Sequence, residues 1–229
     1  MGYHSQAWQS LAGQYIRNNT IQSVAFPKTC TDNLKIKPNY SFLADYLRER
    51  YGFDGKGKNV YHQYLEQFGR LRSIIGFAKG EESRYGLRSQ TELFPELIKK
   101  DPRPVWMQKC IEHIYPLVEL RVDRAGCQES IRQFGHYVPM PSNCKMCPFA
   151  QGPELVFVNR LYPDDWQQWV RFEAAKIAKC SDREMNLGVK GEKLLPEVLK
   201  EELKLYGDWT NEMLAEYRMS HGHHVKSKI

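Results

Sequence analysis

The stretch Val60–Phe77, VYHQYLEQFGRLRSIIGF, decides the fold class because a helical pattern changes to a strand pattern within it. The helical pattern covers Val60–Leu71, and the apolar run Arg72–Phe77 is typical of a buried strand. Helices are also predicted before this stretch, at Pro38–Arg50, and after it, at Arg124–Phe134. Helices separated by short strands favour an α/β domain with a parallel sheet.

The predicted sheet is partial, because few stretches of the chain have a convincing strand pattern. We predict that residues 1–160 form the α/β domain and that residues 161–229 form a helical C-terminal extension packed on it. The helices of this extension are predicted to begin near Asp164 and near Lys193.

The charge and hydropathy of the chain exclude some classes of protein. The 229 residues carry a net charge of +6, spread along the sequence, which is compatible with a nucleotide, a phosphate ester or nucleic acid as a ligand. No apolar run approaches the ~18–20 residues of a membrane span. The N-terminal residues also lack the basic and apolar segments of a secretory signal. We therefore predict a cytoplasmic protein with no membrane partner.

The sharpest local motif is Cys144–Cys147, in which two cysteines are separated by two residues. Two thiols at this spacing can bind one metal ion, or one iron of a cluster, from a single turn. Asn143 and Pro148 favour a tight loop around them. A redox pair of thiols and a chance occurrence are the alternative interpretations.

Two further cysteines lie where a ligand is expected. Cys30 follows a predicted strand, Gln22–Phe26, and precedes a helix, which would bring it to the carboxyl edge of a parallel sheet, where ligands bind. Cys127 lies in the first turn of a helix capped by Asp123, and a helix N-terminus favours a thiolate. A small buried side chain is the alternative interpretation of Cys127.

Four of the six cysteines therefore form a predicted metal site. The other two, Cys110 and Cys180, lie among helical residues and are predicted to be structural. Four thiolates suit either a [4Fe–4S] cluster or zinc, and the spacing does not choose between them. The predicted ligands are Cys30, Cys127, Cys144 and Cys147.

A candidate anion-binding loop follows the strand at Arg72–Phe77. The sequence Gly76–Arg84, GFAKGEESR, combines glycines at a strand end with Lys79 and Arg84. Such a loop can bind a phosphate group through backbone N–H groups and cations. An ordinary solvated loop is the alternative interpretation.

Several of these segments together resemble the phosphoadenosine phosphosulfate (PAPS) reductase-like family, in the same order along about residues 20–200. Cys30–Pro38, CTDNLKIKP, is similar to the cysteine segment of that family, with Thr31 at the second cysteine position. Gly76–Arg84 resembles the motif after the family's strand. Tyr115–Leu117 and the Cys-x-x-Cys follow, and Pro141–Phe149, PSNCKMCPF, resembles the phage and mobile-element branch.

The resemblance implies an adenine nucleotide alpha-hydrolase-like fold with an iron–sulfur cluster at the carboxyl edge of the sheet. It also implies that an adenine nucleotide or sulfonucleotide binds near Lys35, Gly76, Lys79 and Arg84. The family's nucleotide loop, Ser-Gly-Gly-x-Asp-Ser, and its C-terminal catalytic cysteine segment do not occur in this sequence. We therefore expect residues 1–160 to be the second half of the family domain.

Two functions are compatible with these observations. The first is iron–sulfur chemistry in sulfur transfer or on a sulfonucleotide, as an oxidoreductase or sulfurtransferase of sulfur metabolism, with an upstream half or a partner subunit that supplies the nucleotide loop. The second is a non-catalytic module in which a metal stabilises the fold, and the basic surface binds nucleic acid or a protein partner.

Overall fold

The computed structural model of the protein is mixed α/β and mostly helical, with a two-stranded parallel sheet in the part of the chain that it describes. The predicted α/β class with a parallel sheet is confirmed at this level. No helix among these residues is both long enough and apolar enough to cross a membrane. The structure describes residues 2–3, 10–25, 29–81, 103–179 and 186–220.

The helices of this part of the chain vary in length from one turn to about four turns. A π-helical segment, Asp32–Ile36, leads directly into the second α-helix. In chain order, the α-helices are α1 Leu11–Asn18, α2 Lys37–Tyr51, α3 Lys58–Phe68, α4 Val105–Cys110, α5 Pro116–Glu119, α6 Arg124–Gln133, α7 Gly152–Leu161, α8 Pro163–Ile177, α9 Leu195–Tyr206 and α10 Asn211–Ser220.

The chain forms two compact units. The first unit contains Met1–Asn39 and Met140–His223, and the second contains Tyr40–Pro139. The domain boundary predicted between residues 160 and 161 falls inside helix α7 of the first unit.

The sheet of the second unit consists of β1 (Leu71–Ile74) and β2 (Ile111–Ile114), paired in parallel with Leu71 opposite Ile111. Strand β1 lies at the start of the predicted strand and leaves Gly76 beyond its carboxyl end. The segment Val105–His113, which has both helical and strand character, divides into helix α4 and strand β2. The alternation of helix and strand around this sheet is therefore as the sequence predicts.

Helix α6 of the second unit begins where its capping residue predicts. The side chain of Asp123 accepts a hydrogen bond of 2.8 Å from the backbone N–H of Gly126 and so satisfies one of the free N–H groups at the helix start. Gly135 follows the helix with φ of 73°, a left-handed conformation that glycine adopts without strain.

Helix α7 forms the centre of the first unit's core. Its apolar residues Leu155–Val158 are all buried, because α8, α9 and α10 pack against different faces of the helix. Trp166 and Trp169 of α8 add an edge-to-face aromatic pair, with ring centroids 5.9 Å apart. A helix that is apolar on all sides lacks the amphipathic period that indicates helices in a sequence. No helix is therefore predicted from the sequence at this position.

The strand predicted at Gln22–Phe26 is wrong over residues 22–25, and Phe26 lies outside the described residues. These residues form an irregular segment and a turn. The Ser23 hydroxyl donates to the Gly188 carbonyl at 2.7 Å, and the Val24 N–H donates to the Val189 carbonyl at 3.0 Å. A serine hydroxyl and a backbone N–H of this segment therefore bind a distant loop, and residues 22–25 do not pair in the sheet.

The loop that contains Gly188 and Val189 forms hydrogen bonds to a buried carboxylate. Glu173 of α8 is 1% exposed and accepts hydrogen bonds from the backbone N–H groups of Val189, at 2.8 Å, and Leu195, at 2.7 Å. A buried carboxylate is tolerated when hydrogen bonds satisfy its oxygens. Gly188 passes so close to Glu173 that a side chain at residue 188 would contact the carboxylate at 2.7 Å.

Replacing Glu173 tests this packing. We expect Glu173→Ala to lower the free energy of unfolding by roughly 2–4 kcal/mol, because two buried N–H groups lose their acceptors. Urea-induced unfolding measures the change. The control is Glu201→Ala, which removes an exposed carboxylate paired with Lys193 and should leave stability unchanged. Equal stability of both variants would contradict the role assigned to Glu173.

Candidate metal centre

The Cys144–Cys147 segment forms a loop of turns between α6 and α7, as its flanking prolines predict. Cys144 is exposed, whereas Cys147 and Met146 are buried in the core of the first unit. The backbone N–H of Ala150 donates to the Cys147 carbonyl at 3.0 Å and closes a turn after the second cysteine. The loop thus presents one thiol at the surface and the other inside.

Buried polar groups fix the start of this loop. The Asn143 side chain donates to the Glu154 carboxylate at 2.8 Å, and the Asn143 carbonyl accepts from the Arg218 guanidinium at 2.8 Å. Glu154 and Arg218 are both buried, and the Arg218 guanidinium lies 4.8 Å from the Phe157 ring centre. The residue before Cys144 is therefore held from two helices, α7 and α10.

A lysine fixes the end of the loop. The Lys190 ammonium donates to the Pro148 carbonyl at 2.6 Å and also to the Ala150 carbonyl. Burial lowers the pKa of Lys190, and the negative charges of Cys147, Glu202 and Glu154 oppose that effect. The positive charge of Lys190 therefore lies within electrostatic reach of the second thiol of the loop.

Three of the predicted ligand cysteines contribute to the raised pKa of one buried phenol, that of Tyr15 in α1. Burial raises the pKa of Tyr15, the N–H of Gln22 opposes the rise through a hydrogen bond, and Cys144, Cys30 and Cys147 add to it. Tyr15 is 2% exposed and belongs to the same core as Cys147. Tyr15, Cys30 and both cysteines of the loop therefore belong to the first unit.

A short series of hydrogen bonds leads from Tyr15 to the residue before Cys30. The strand predicted before Cys30 is absent over residues 22–25. The backbone N–H of Gln22 donates to the Tyr15 hydroxyl at 3.2 Å, and its side-chain amide donates to the Thr29 hydroxyl at 2.8 Å. Cys30 comes next and is the first helical residue before the π-helix Asp32–Ile36. Its expected location at a strand end is therefore wrong, and it lies at a helix start.

The fourth predicted ligand, Cys127, belongs to the second unit. It lies in the first turn of α6, where its backbone N–H donates to the Asp123 carbonyl at 2.9 Å, and its side chain is half-buried. Cys110 is buried, with its sulfur 3.5 Å from Nδ1 of His62, in agreement with a structural role. Cys180 lies outside the described residues.

The predicted nucleotide-binding residues are distributed between the two units. Lys35 is exposed on the π-helix of the first unit. Gly76 and Lys79 are exposed on the loop that leaves β1 at the carboxyl end of the sheet. Arg84 lies outside the described residues.

Contacts within the second unit define the shape of the loop that carries Gly76 and Lys79. The Lys79 N–H donates to the Val122 carbonyl at 2.8 Å, and Glu81 pairs with Arg124 at 3.0 Å. The ring of Phe77 stacks on that of Tyr115, with centroids 6.0 Å apart. These contacts fix the backbone of the loop, whereas the Lys79 side chain is exposed to solvent.

The thiols of Cys30, Cys144 and Cys147 in the first unit are of the donor type that binds a thiophilic metal or an iron–sulfur cluster. Among the residues that the structure describes, no three side chains of His, Cys, Asp or Glu already have the arrangement of a closed metal site. The sequence does not predict the roles of Tyr15, Lys190 and Arg218, because their contacts join segments that are distant in the chain and follow no local motif.

Comparisons with known proteins found no relative of this chain. The chain matches no family model, no curated protein and no solved structure.

The pKa of Tyr15 predicts how stability depends on pH. An unfolded chain ionises tyrosine at about pH 10, whereas the folded protein keeps the Tyr15 proton to higher pH. Stability from this group is therefore fully present below about pH 10 and is lost as the pH rises towards the folded pKa. We expect Tyr15→Phe to reduce the alkaline loss of stability of the metal-free protein, measured by urea unfolding at neutral and alkaline pH. Equal losses in the variant and the parent would contradict this assignment.

Proposed function

We propose that this chain is an iron–sulfur protein of the PAPS reductase-like kind, acting in sulfur-transfer or sulfonucleotide chemistry. The finer fold that we propose is a partial adenine nucleotide alpha-hydrolase-like sheet. The observation that carries the proposal is that Cys30, Cys144 and Cys147, distant in sequence, belong to the same compact unit. These residues were chosen as ligands from sequence motifs, and they come from segments more than one hundred residues apart.

The ligand chemistry also supports iron–sulfur binding. Thiolates are the usual protein ligands of iron–sulfur clusters, and a cluster held here would supply electron transfer or polarisation beside a bound ligand. Cys144 is exposed, so its side chain can reorient to complete a site without disturbing the core. Cys127 stays the sequence-based prediction for the fourth ligand. Such thiols must be reduced to bind iron, which agrees with the predicted cytoplasmic location.

The nucleotide part of the proposal rests on the second unit. Gly76 and Lys79 follow β1 of a parallel sheet, and ligands of such sheets bind beyond the carboxyl ends of the strands. The exposed Lys79 ammonium would bind a phosphate or sulfate group of an adenine nucleotide or sulfonucleotide. Lys35 and Arg84 stay sequence-based predictions for the same ligand. We propose that a partner subunit, or an upstream half, supplies the nucleotide loop that this sequence lacks.

Metal analysis after anaerobic purification tests the cluster. We expect a brown protein with about four irons per chain and a broad visible absorption band. Cys144→Ser and Cys127→Ser should each lose most of the iron, because a [4Fe–4S] cluster needs four protein ligands. Iron, sulfide and zinc analysis with the absorption spectrum measures the result.

The control for these variants is Cys110→Ala, which removes a buried thiol outside the predicted site. This variant should keep its iron. Full iron content in Cys144→Ser would contradict the proposed ligand set. A colourless protein with one zinc would instead favour the second function, a metal-stabilised module that binds nucleic acid or a protein partner, and binding of nucleic acid that weakens with salt would support it.

Nucleotide binding tests the role of Lys79. We expect Lys79→Ala to weaken binding of an adenine nucleotide by about tenfold, which corresponds to ~1.4 kcal/mol, because an ion-pairing donor to the phosphate is lost. Isothermal titration calorimetry with the iron-loaded protein measures the affinity. Lys109→Ala is the matched control, since Lys109 is an exposed lysine of the same unit on helix α4. Equal affinities of the two variants would remove Lys79 from the proposed site.

A further inference from the structure

A histidine near the carboxyl end of strand β2 lies between two tyrosine hydroxyls of the second unit. The Tyr40 hydroxyl oxygen, from helix α2, lies 3.1 Å from Nε2 of His113, and the Tyr115 hydroxyl oxygen lies 3.4 Å from Nδ1. Both ring nitrogens of His113 therefore have a phenol partner. All three side chains are half-buried, so part of each is exposed to solvent.

Aromatic packing fixes the Tyr40 ring beside this histidine. The ring meets those of Tyr61 in α3 and Trp106 in α4 edge to face, with centroids 6.2 Å apart in each pair. The Tyr61 hydroxyl also donates to the Tyr40 backbone carbonyl at 2.6 Å. The position of the Tyr40 hydroxyl is therefore determined by two further helices and does not depend on His113 alone.

The three side chains lie beside the loop that leaves strand β1. His113 is the third residue of β2, and Tyr115 directly follows the strand. The Tyr115 ring stacks on that of Phe77, in the loop that carries Lys79, with an angle of 12° between the ring planes. Ligands of parallel sheets bind beyond the carboxyl ends of the strands, which is where these groups meet.

A guanidinium acts on the same cluster. Burial raises the pKa of Tyr40, the positive charge of Arg103 opposes that rise, and Tyr115 adds to it. Across the sheet, the partner of His113 is Ser73 of β1, which carries no charge. An anion at the Tyr40 hydroxyl would therefore meet the positive potential of Arg103.

Protonation of a histidine changes the hydrogen bonds of both its partners. A neutral imidazole has one N–H donor and one acceptor nitrogen, so one of the two phenols donates its proton to the ring. An imidazolium has two N–H donors, so both phenol oxygens accept, and the hydroxyl that donated to the ring becomes a donor to a ligand. The added proton also brings a positive charge. Histidine changes charge between about pH 5 and about pH 8.

We propose that Tyr40, His113 and Tyr115 form an oxyanion site that binds a phosphate or sulfate group and takes up a proton at His113 when the group binds. This inference rests on the proposed function, because the group belongs to the proposed nucleotide or sulfonucleotide. The proton comes from solvent and stays on the imidazole while the anion is bound, and no covalent bond of the ligand changes. A ligand that prefers the protonated site binds more tightly at lower pH.

Calorimetric titration of the anaerobically purified full chain with inorganic sulfate tests the site. Sulfate is a dianion throughout the range from about pH 5.5 to about pH 8, so a pH dependence of binding at constant ionic strength belongs to the protein. Titrations in buffers of different ionisation enthalpy give the number of protons taken up. We expect the affinity to fall about tenfold across this range, with uptake of about one proton per sulfate.

Two substitutions remove the parts of the site separately. His113→Gln keeps a donor and an acceptor but cannot take up a proton, so it should lose the pH dependence and bind sulfate about tenfold more weakly at about pH 5.5. Tyr40→Phe keeps the aromatic packing and should weaken sulfate binding about fivefold. The matched controls are His136→Gln, at an exposed residue after α6, and Tyr64→Phe, in a separate aromatic group with Phe68. Both controls should behave as the parent does.

A second probe, adenosine phosphosulfate, separates the inference from the proposed function, since its phosphosulfate group is also ionised throughout this range. Sulfate binding with proton uptake that His113→Gln abolishes, without binding of adenosine phosphosulfate, would support the inference and contradict the proposed nucleotide ligand. Binding of adenosine phosphosulfate that is equal in the parent and His113→Gln at every pH would overturn only the inference. A parent that binds neither probe would overturn both. If His113→Gln does not fold, proton uptake by the parent and the affinity of Tyr40→Phe decide the inference, and a parent that takes up no proton overturns it.

Discussion

The buried carboxylate of Glu173 is the constraint on which the candidate metal centre of the first unit depends. It binds the N–H groups of Val189 and Leu195, so the turn between them cannot move away from helix α8. Lys190 projects from that turn to the end of the Cys-x-x-Cys loop. A buried carboxylate without these donors would be unfavourable by several kcal/mol, so the turn and the carboxylate stabilise each other.

The same unit combines an apolar core with charges that would be unfavourable alone. Helix α7 contributes buried apolar residues on all sides, and at its start Glu154 is buried as well. Glu154 accepts a hydrogen bond from Asn143, and Arg218 donates one to the Asn143 carbonyl and lies over the face of Phe157. Each buried charge near the loop therefore has a partner in the loop itself. Because of this arrangement, the conformation of the cysteines depends on residues from α7, α10 and the turn at Lys190.

Local signals in the sequence were sufficient for part of this structure. Asp123 caps helix α6 as predicted, because the capping interaction involves only residues three apart. Strand β1 also follows from its apolar run. The failures are non-local: residues 22–25 have strand-like composition, but Ser23 and Val24 form hydrogen bonds to a turn more than 160 residues away. Helix α7 was missed since burial on all sides removes its period, and Lys190 and Tyr15 act through contacts that no local pattern records.

The location of Cys30 shows how a candidate residue can be chosen for a structural reason that is incorrect. The sequence suggested a strand end, whereas Cys30 is the first helical residue of its segment, tied through Thr29 and Gln22 to Tyr15. A helix start and the carboxyl edge of a parallel sheet share one physical property, because both present backbone N–H groups that favour an anion. Cys127 lies in the first turn of α6 in the second unit. Both cysteines therefore lie at the start of a helical segment, where backbone N–H groups are free of intrahelical partners.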